Sequence, residues 1–325
     1  MAIFQTGAVT TIPNLADTIA QFALANGWTV NMNQVEGSGR RVHLQKDDAF
    51  INLRAMVSES LNNGTQNLAN NLSGLLMNGS TGYNSALVWC MQPGKAVYVN
   101  GATPNPKVNG MTGISGAMPA YYLFARGNMI YCWLEYATGQ YQWLVFGKIT
   151  KTSTWTGGTL FAGSNEGYGN TINNYSAIAN SVASNVANCG SHPYSYLYVS
   201  GVDGNTGWCA CHNEAMTPAM PNFFDTIANM GNGTGNLSNT FNTQPVLVPI
   251  EIAICRDGAV VRDSNTNWSI EGYLPDMYFC NLRTLIPAQQ IDDGSGDVFR
   301  VFPFRQKSND GNASTGWWGV AIKEN

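Results

Sequence analysis

Charged side chains are scarce in this sequence: 16 Lys and Arg and 20 Asp and Glu among 325 residues, or 11%, against roughly 25% in an ordinary soluble domain. The few basic residues are scattered, Arg40-Arg41 being the densest pair, so no stripe exists to neutralise a run of phosphates and nucleic acid is not an expected partner. Histidine is rarer still, with three copies, which leaves little material for general-base chemistry. Long apolar runs are missing as well. Nothing approaches the roughly 20 residues that cross a bilayer, so no membrane span is expected. The first residues, MAIFQTGAVTTIPNLADTI, lack the basic region and apolar block of a signal peptide, and synthesis and folding in a cytoplasm are expected. Triplets such as Asn78-Gly79-Ser80 then follow from an Asn-rich composition and do not imply glycosylation.

Catalytic signatures are absent too. The string nearest a nucleophile elbow, Gly113-Ile114-Ser115-Gly116, has the wrong spacing. No H-E-x-x-H, Walker loop or strand-linked G-x-G-x-x-G occurs. A carboxylate pair for glycoside hydrolysis would have to be drawn from Glu135, Glu166, Glu251 and Glu271. Asp292-Asp293-Gly294-Ser295-Gly296-Asp297 and Asp203-Gly204-Asn205 resemble calcium loops in composition, but neither has the EF-hand order, and both read as solvated turns.

Cysteines number seven at irregular separations, which is no disulfide framework; most are expected to be buried small hydrophobes. One group has ligand character. Cys209 and Cys211 would share a face of a strand, and Cys189 with His192 would complete four soft donors for zinc. The spacing is loose and a chain of this length does not need metal to fold, so no cofactor is expected and zinc is the one metal worth testing.

What the chain does have is glycine, 35 residues of it, with much Asn, Ser and Thr and many aromatics. A surface of neutral polar groups, with a net charge of only −4, supplies little self-repulsion and suits a protein packed against neighbours. The local patterns predict a mainly β fold: an antiparallel sandwich or meander core, a small N-terminal α+β region and long ordered loops. Residues 1–57 read as a helix laid on a small hairpin. Asn14 is the expected cap with Asp17 at the third position; Leu15, Ile19 and Phe22 share a face, and Gly27 stops the helix. The hairpin pairs Val42 and Leu44 with Ile51 and Leu53 around Asp47-Asp48. His43, between them, reads as a half-exposed strand residue.

Residues 58–84 read as a polar arm or a broken helix, because Leu61, Leu68, Leu72, Leu75 and Leu76 recur at helical spacing while Gly64 and Gly74 interrupt it. Residues 85–325 read as a β-rich body without an internal boundary. Within it, ALVWCMQPGKAVYVNG predicts two strands around Pro93-Gly94, and YYLFARGNMIYCWLEYATGQYQWLVFGKIT predicts three, turning at Arg126-Gly127-Asn128 and Thr138-Gly139. Aromatics fall on both faces of this meander, so both faces are expected to be covered. The following TWTGGT breaks alternation where a glycine pair permits a bulge or positive φ. Residues 170–192 and 213–245 read as long loops, and YSYLYVSG between them as a strand. VLVPIEIAICRDGAVVR predicts a hairpin turning at Asp257-Gly258, with further strands at WSIEGYL, DVFRVFPFR and GWWGVAIKEN.

The helix ending in Gly27-Trp28, the strands VHLQKDDAFINLRA and VFRVFPFR, the aromatic meander leading to LVFGKITKTSTWTGG and the closing GWWGVAIKEN together resemble structural proteins of tailed bacteriophages, in particular the tail, neck or baseplate proteins of contractile-tailed phages. The resemblance implies a non-enzymatic virion component that forms a homo-oligomer and contacts other tail, neck or baseplate proteins. It singles out no residue. Two other roles share the composition: a host-receptor or glycan-binding tail protein using aromatics of 153–168 and 265–278, and a polysaccharide-degrading tail enzyme.

Overall fold

The computed structural model describes residues 3–62, 67–98, 105–167, 195–202, 205–210, 240–241, 244–255, 268–282, 284–303 and 318–325. In chain order, β1 (Phe4–Val9) and α1 (Ile12–Ala25) precede β2 (Thr29–Glu36), β3 (Gly39–Lys46), β4 (Ala49–Asn62) and β5 (Asn67–Ser80). There follow β6 (Val97–Tyr98), β7 (Asn105–Pro106), β8 (Val108–Thr112), β9 (Met118–Arg126), β10 (Asn128–Ala137), β11 (Gln140–Lys148), β12 (Thr150–Lys151), β13 (Thr156–Gly163) and β14 (Asn165–Gly167). The remainder comprises β15 (Ser195–Val202), β16 (Asn205–Ala210), β17 (Thr240–Phe241), β18 (Gln244–Pro245), β19 (Val248–Cys255), β20 (Trp268–Asn281), β21 (Gln290–Asp292), β22 (Val298–Pro303) and β23 (Trp318–Lys323). The chain is mainly β, and its strand pairs are antiparallel.

Three large sheets stack. A front sheet runs β14-β8-β5-β4-β3-β2, a middle sheet β1-β9-β10-β11-β13-β15-β16, and a back sheet β12-β20-β23-β22-β21 with β19 also on β20. Period-two alternation makes the middle sheet the shared layer. On β10, Ile130, Cys132 and Leu134 enter the core that includes α1, Val42, Leu53 and Leu75 of the front sheet. Met129, Tyr131 and Trp133 point the other way, into a core with Ile250, Phe279, Phe302, Val320 and Ile322 of the back sheet. The expectation that both faces of the meander are covered is met, and its strands and turns fall where the sequence placed them.

The helix confirms its apolar face, with Leu15, Ile19 and Phe22 buried. Its cap differs. Thr11, not Asn14, takes the N-cap: its Oγ1 accepts from the Asn14 amide at 3.3 Å. The reason is Pro13, which sits well in a first turn where no amide is needed and draws the helix start upstream. The β3–β4 hairpin has the expected register, Val42 opposite Leu53 and Leu44 opposite Ile51. The N-terminal region does not close on itself at residue 57, because β1 pairs with β9 of the middle sheet and β4 continues into β5.

Segment 58–84 departs from a helix: β5 is a strand paired to β4 from Phe50–Ser80 to Asn62–Asn67. Bulges between Met56 and Glu59 and between Glu59 and Leu61 shift the register, which scrambled the alternation and let the leucines mimic a helical period. Of the two strands expected around Pro93-Gly94, the first is replaced by turns and bends over residues 85–95, and the second is present as the short β6, which pairs with β7. Here Gln92 side-chain bonds to the backbone of Asn84, Leu87 and Val88 replace a strand ladder. Loops 170–192 and most of 213–245 lie outside the described residues, as does the Asp257-Gly258 turn; among the described residues β19 pairs with β20.

The run from β11 to β14 stitches the layers. β11 and β13 belong to the middle sheet, β12 between them pairs with β20 of the back sheet, and β14 pairs with β8 of the front sheet. The turnaround needs the glycine pair: a bulge falls between Gly157 and Thr159, and Gly157 has φ +113°. A Cβ at Gly157 would lie 2.4 Å from the Tyr198 carbonyl oxygen. Gly157→Ala is therefore expected to destabilise by at least about 2 kcal/mol, read as a lower urea midpoint, because strain and a backbone clash add. An unchanged midpoint would contradict this account of the bulge.

Candidate assembly interface

The front sheet carries a projection. β3 pairs with β4 only from Ala49 to Ala55, and β8 pairs with β5 only from Gly74 to Met77. Past those points β4 and β5 continue as a two-stranded ribbon, Glu59 opposite Leu72, Leu61 opposite Ala69 and Asn62 opposite Asn67. Its ladder partners, among the described residues, are its own two strands. A lone two-stranded ribbon is marginal in water.

The base of the ribbon is clamped. Glu59 accepts from the Ser38 amide at 2.7 Å and from the Ser38 hydroxyl at 2.8 Å, and its other oxygen accepts from Arg54 at 2.5 Å. Arg54, almost fully buried, also donates to the backbone oxygens of Ala55 and Glu36. Beside this base Val35 is 68% exposed on β2, the edge strand of the sheet, and Val57 is 39% exposed on β4. An open edge, two bared valines and a rigidly based ribbon therefore lie at one end of the front sheet.

The outer face of the same sheet holds a buried polar chain that the sequence did not reveal. His43 is 1% exposed, not half-exposed, because residues 81–96 fold over it and Tyr83 packs on its ring at 4.9 Å between centroids. Arg41 Nε donates to His43 Nε2 at 2.7 Å. Since a guanidinium only donates, Nε2 is the accepting nitrogen and Nδ1 carries the proton, which it donates to Asn52 Oδ1 at 2.6 Å. Asn52 Nδ2 then donates to Ser80 Oγ at 3.0 Å, and Ser80 to the Gly82 carbonyl at 2.9 Å. The one available signal was parity: Arg41 and His43 alternate with buried Val42 and Leu44, a pattern usually read as a solvated face.

The imidazole is held neutral. Its pKa falls from 6.5 to about 4, first because burial removes the solvation of a cation and then through the Arg41 charge, with the Asn52 hydrogen bond acting in the opposite sense. Any state that exposes His43 takes up a proton near pH 6.5, whereas the closed form does so only near pH 4. The closed form's advantage is thus full above pH 6.5 and declines as pH falls to 4, by about 3 kcal/mol in all.

The other residues marked by the sequence fall on separate elements or outside the described residues. Cys209 lies on β16 and packs against the core between the middle and back sheets; Cys189, His192 and Cys211 lie outside the described residues. Among the described residues no group of three His, Cys, Asp or Glu is placed to hold a metal ion. The 292–297 segment is a turn closed on itself: Asp293 Oδ1 accepts from the Ser295 amide at 2.8 Å and hydroxyl at 2.7 Å, and Asp297 pairs with Lys323 at 2.7 Å. These hydrogen bonds from Ser295 hold the Asp293 carboxyl below its usual range. Asp203-Gly204 lies outside the described residues.

Of the four glutamates, Glu135 accepts from the Gly139 amide at 2.8 Å and so closes a hairpin turn, and Glu271 is buried. Glu251 lies opposite Tyr273 on the back sheet, and Glu166 opposite Asn109 on the front sheet. Within the aromatic segments proposed for glycans, Trp155 is half-buried under Lys151, whose Nζ lies 5.0 Å from the ring centroid. Tyr273, 42% exposed, and Ile270, 47% exposed, do face outward. No helix among the described residues is long and apolar enough to cross a membrane. No family model matches the chain, and no curated relative does.

Proposed function

We propose that this chain is a non-enzymatic assembly subunit that forms a homo-oligomer by seating the β4–β5 ribbon against a neighbouring copy. The carrying observation is the ribbon itself, clamped at its base by Glu59 and running past the points where, among the described residues, β3 and β8 stop pairing. Low charge supports the same reading, since copies repel one another weakly. The resemblance to tail, neck and baseplate proteins extends the proposal to a phage virion component, made in the bacterial host cytoplasm and contacting other virion proteins. Sedimentation velocity of the purified chain tests it. A discrete multimer is expected, and a single 35.1 kDa species up to high concentration would contradict it.

A second reading, recognition of a host glycan, is favoured by outward-facing Tyr273 and Ile270 on β20. Tyr273→Ala is then expected to abolish signal on a glycan array; a blank array with the native chain removes this reading.

A further inference from the structure

We propose that residues 81–95 form an acid-released strap: protonation of His43 breaks the anchors that hold this segment on the front sheet and uncovers the apolar cluster beneath it. The strap is ordered internally. The Thr81 amide donates to the Pro93 carbonyl at 3.1 Å, closing its two ends, and Gln92, buried, donates to the carbonyls of Asn84, Leu87 and Val88 and accepts from the Asn84 amide. It can therefore lift as a unit without losing these bonds.

Its attachments to the sheet converge on His43. Arg41 donates one guanidinium bond to His43 and another, at 2.5 Å, to the Leu87 carbonyl of the strap. Tyr83 of the strap lies on the imidazole, and the Asn52–Ser80 branch ends on the Gly82 carbonyl. One anchor is separate, from Trp208 Nε1 to the Gly94 carbonyl at 2.8 Å.

Among the described residues the ring's hydrogen-bond partners are Arg41 and Asn52, and neither is a carboxylate. Arg41 faces it from β3, neutral Asn52 from β4, Met32 lies opposite on β2, and Tyr83 faces it from the strap. Among the described residues the carboxylate paired with Arg41 is Glu36, which reaches its guanidinium at 3.8 Å and is half-exposed. A proton on Nε2 would point at the Arg41 Nε–H, donor against donor and cation against cation, at a present separation of 2.7 Å. Relief comes from moving Arg41 away, which withdraws its bond to Leu87. Beneath the strap lie Met56, Leu76 and Val108 of the sheet, covered by Trp89 and Cys90 of the strap itself.

Cys90 is fully buried, and burial pushes its thiol pKa up to about 12. It reports strap opening. Cys132 and Cys280, buried in the other cores, report global unfolding. The native chain is treated with 4,4′-dithiodipyridine from pH 7 to pH 4, each rate is divided by that of an unstructured thiol at the same pH, and labelled cysteines are located by mass spectrometry. The normalised rate at Cys90 is expected to rise by about 80-fold between pH 6.5 and 4, with Cys132 and Cys280 still protected. His43→Gln is expected to remove that rise. A flat Cys90 rate in the native chain, or one rising only in step with Cys132 and Cys280, overturns the proposal whether or not the variant folds.

Discussion

Trp133→Ala is expected to lower stability by about 3–5 kcal/mol, the range for emptying an aromatic site in a packed core. Trp133 is the largest fully buried side chain in the molecule's described part and joins two of its three layers. From β10 of the middle sheet its indole stacks on Trp143 at 5.7 Å and on Phe302 of the back sheet at 5.7 Å, and Nε1 donates to the Pro303 carbonyl at 3.3 Å. Truncation removes the stacking surface and leaves that carbonyl buried without its donor, a further cost of the order of 1 kcal/mol. Trp133→Phe keeps an aromatic face and is expected to lose less than half as much. Urea unfolding followed by circular dichroism measures both. A loss below about 1 kcal/mol for the alanine variant would mean that the middle and back sheets do not share one core.

Removing the ribbon is expected to abolish assembly while sparing the fold. Glu59 and Leu72 lie opposite each other, so residues 60–71 can be replaced by Asn-Gly, which closes a two-residue hairpin at that pair. The Glu59 bonds to Ser38 and Arg54 stay in place. Circular dichroism should show the native secondary structure and a cooperative unfolding transition, and the sedimenting species should become a monomer. If the shortened chain assembled as well as the native one, the ribbon would not be the contact.

The parts of the fold that can be read from sequence are those whose pattern is local. The β9–β10–β11 meander is legible because its alternation is unbroken and its turns fall on Gly127 and Gly139, both at positive φ. Burial of the middle sheet on both faces is legible because aromatics occupy both parities of β10 and β11. β5 is not, since bulges around Glu59 break the alternation. That segment holds a strand, Asn67–Ser80, where helical spacing of the leucines suggests a broken helix.

The helix start was misplaced by one turn because Asn14 and Asp17 imitate a cap that Thr11 and Pro13 supply. His43 was misjudged for a different reason: what buries it is a segment some 40 residues away in sequence, so no local pattern carries the information. The proposed interface is legible only in composition: a low charge density lets copies approach, but where the ribbon runs past β3 and β8 is a property of the folded sheet.

The most direct measurement is cryo-electron microscopy of the purified chain. The account predicts a multimer in which the 58–62 and 67–72 strands of each subunit lie against an adjacent copy. Particles of a single subunit, or a multimer whose ribbons all point into solvent, would contradict it.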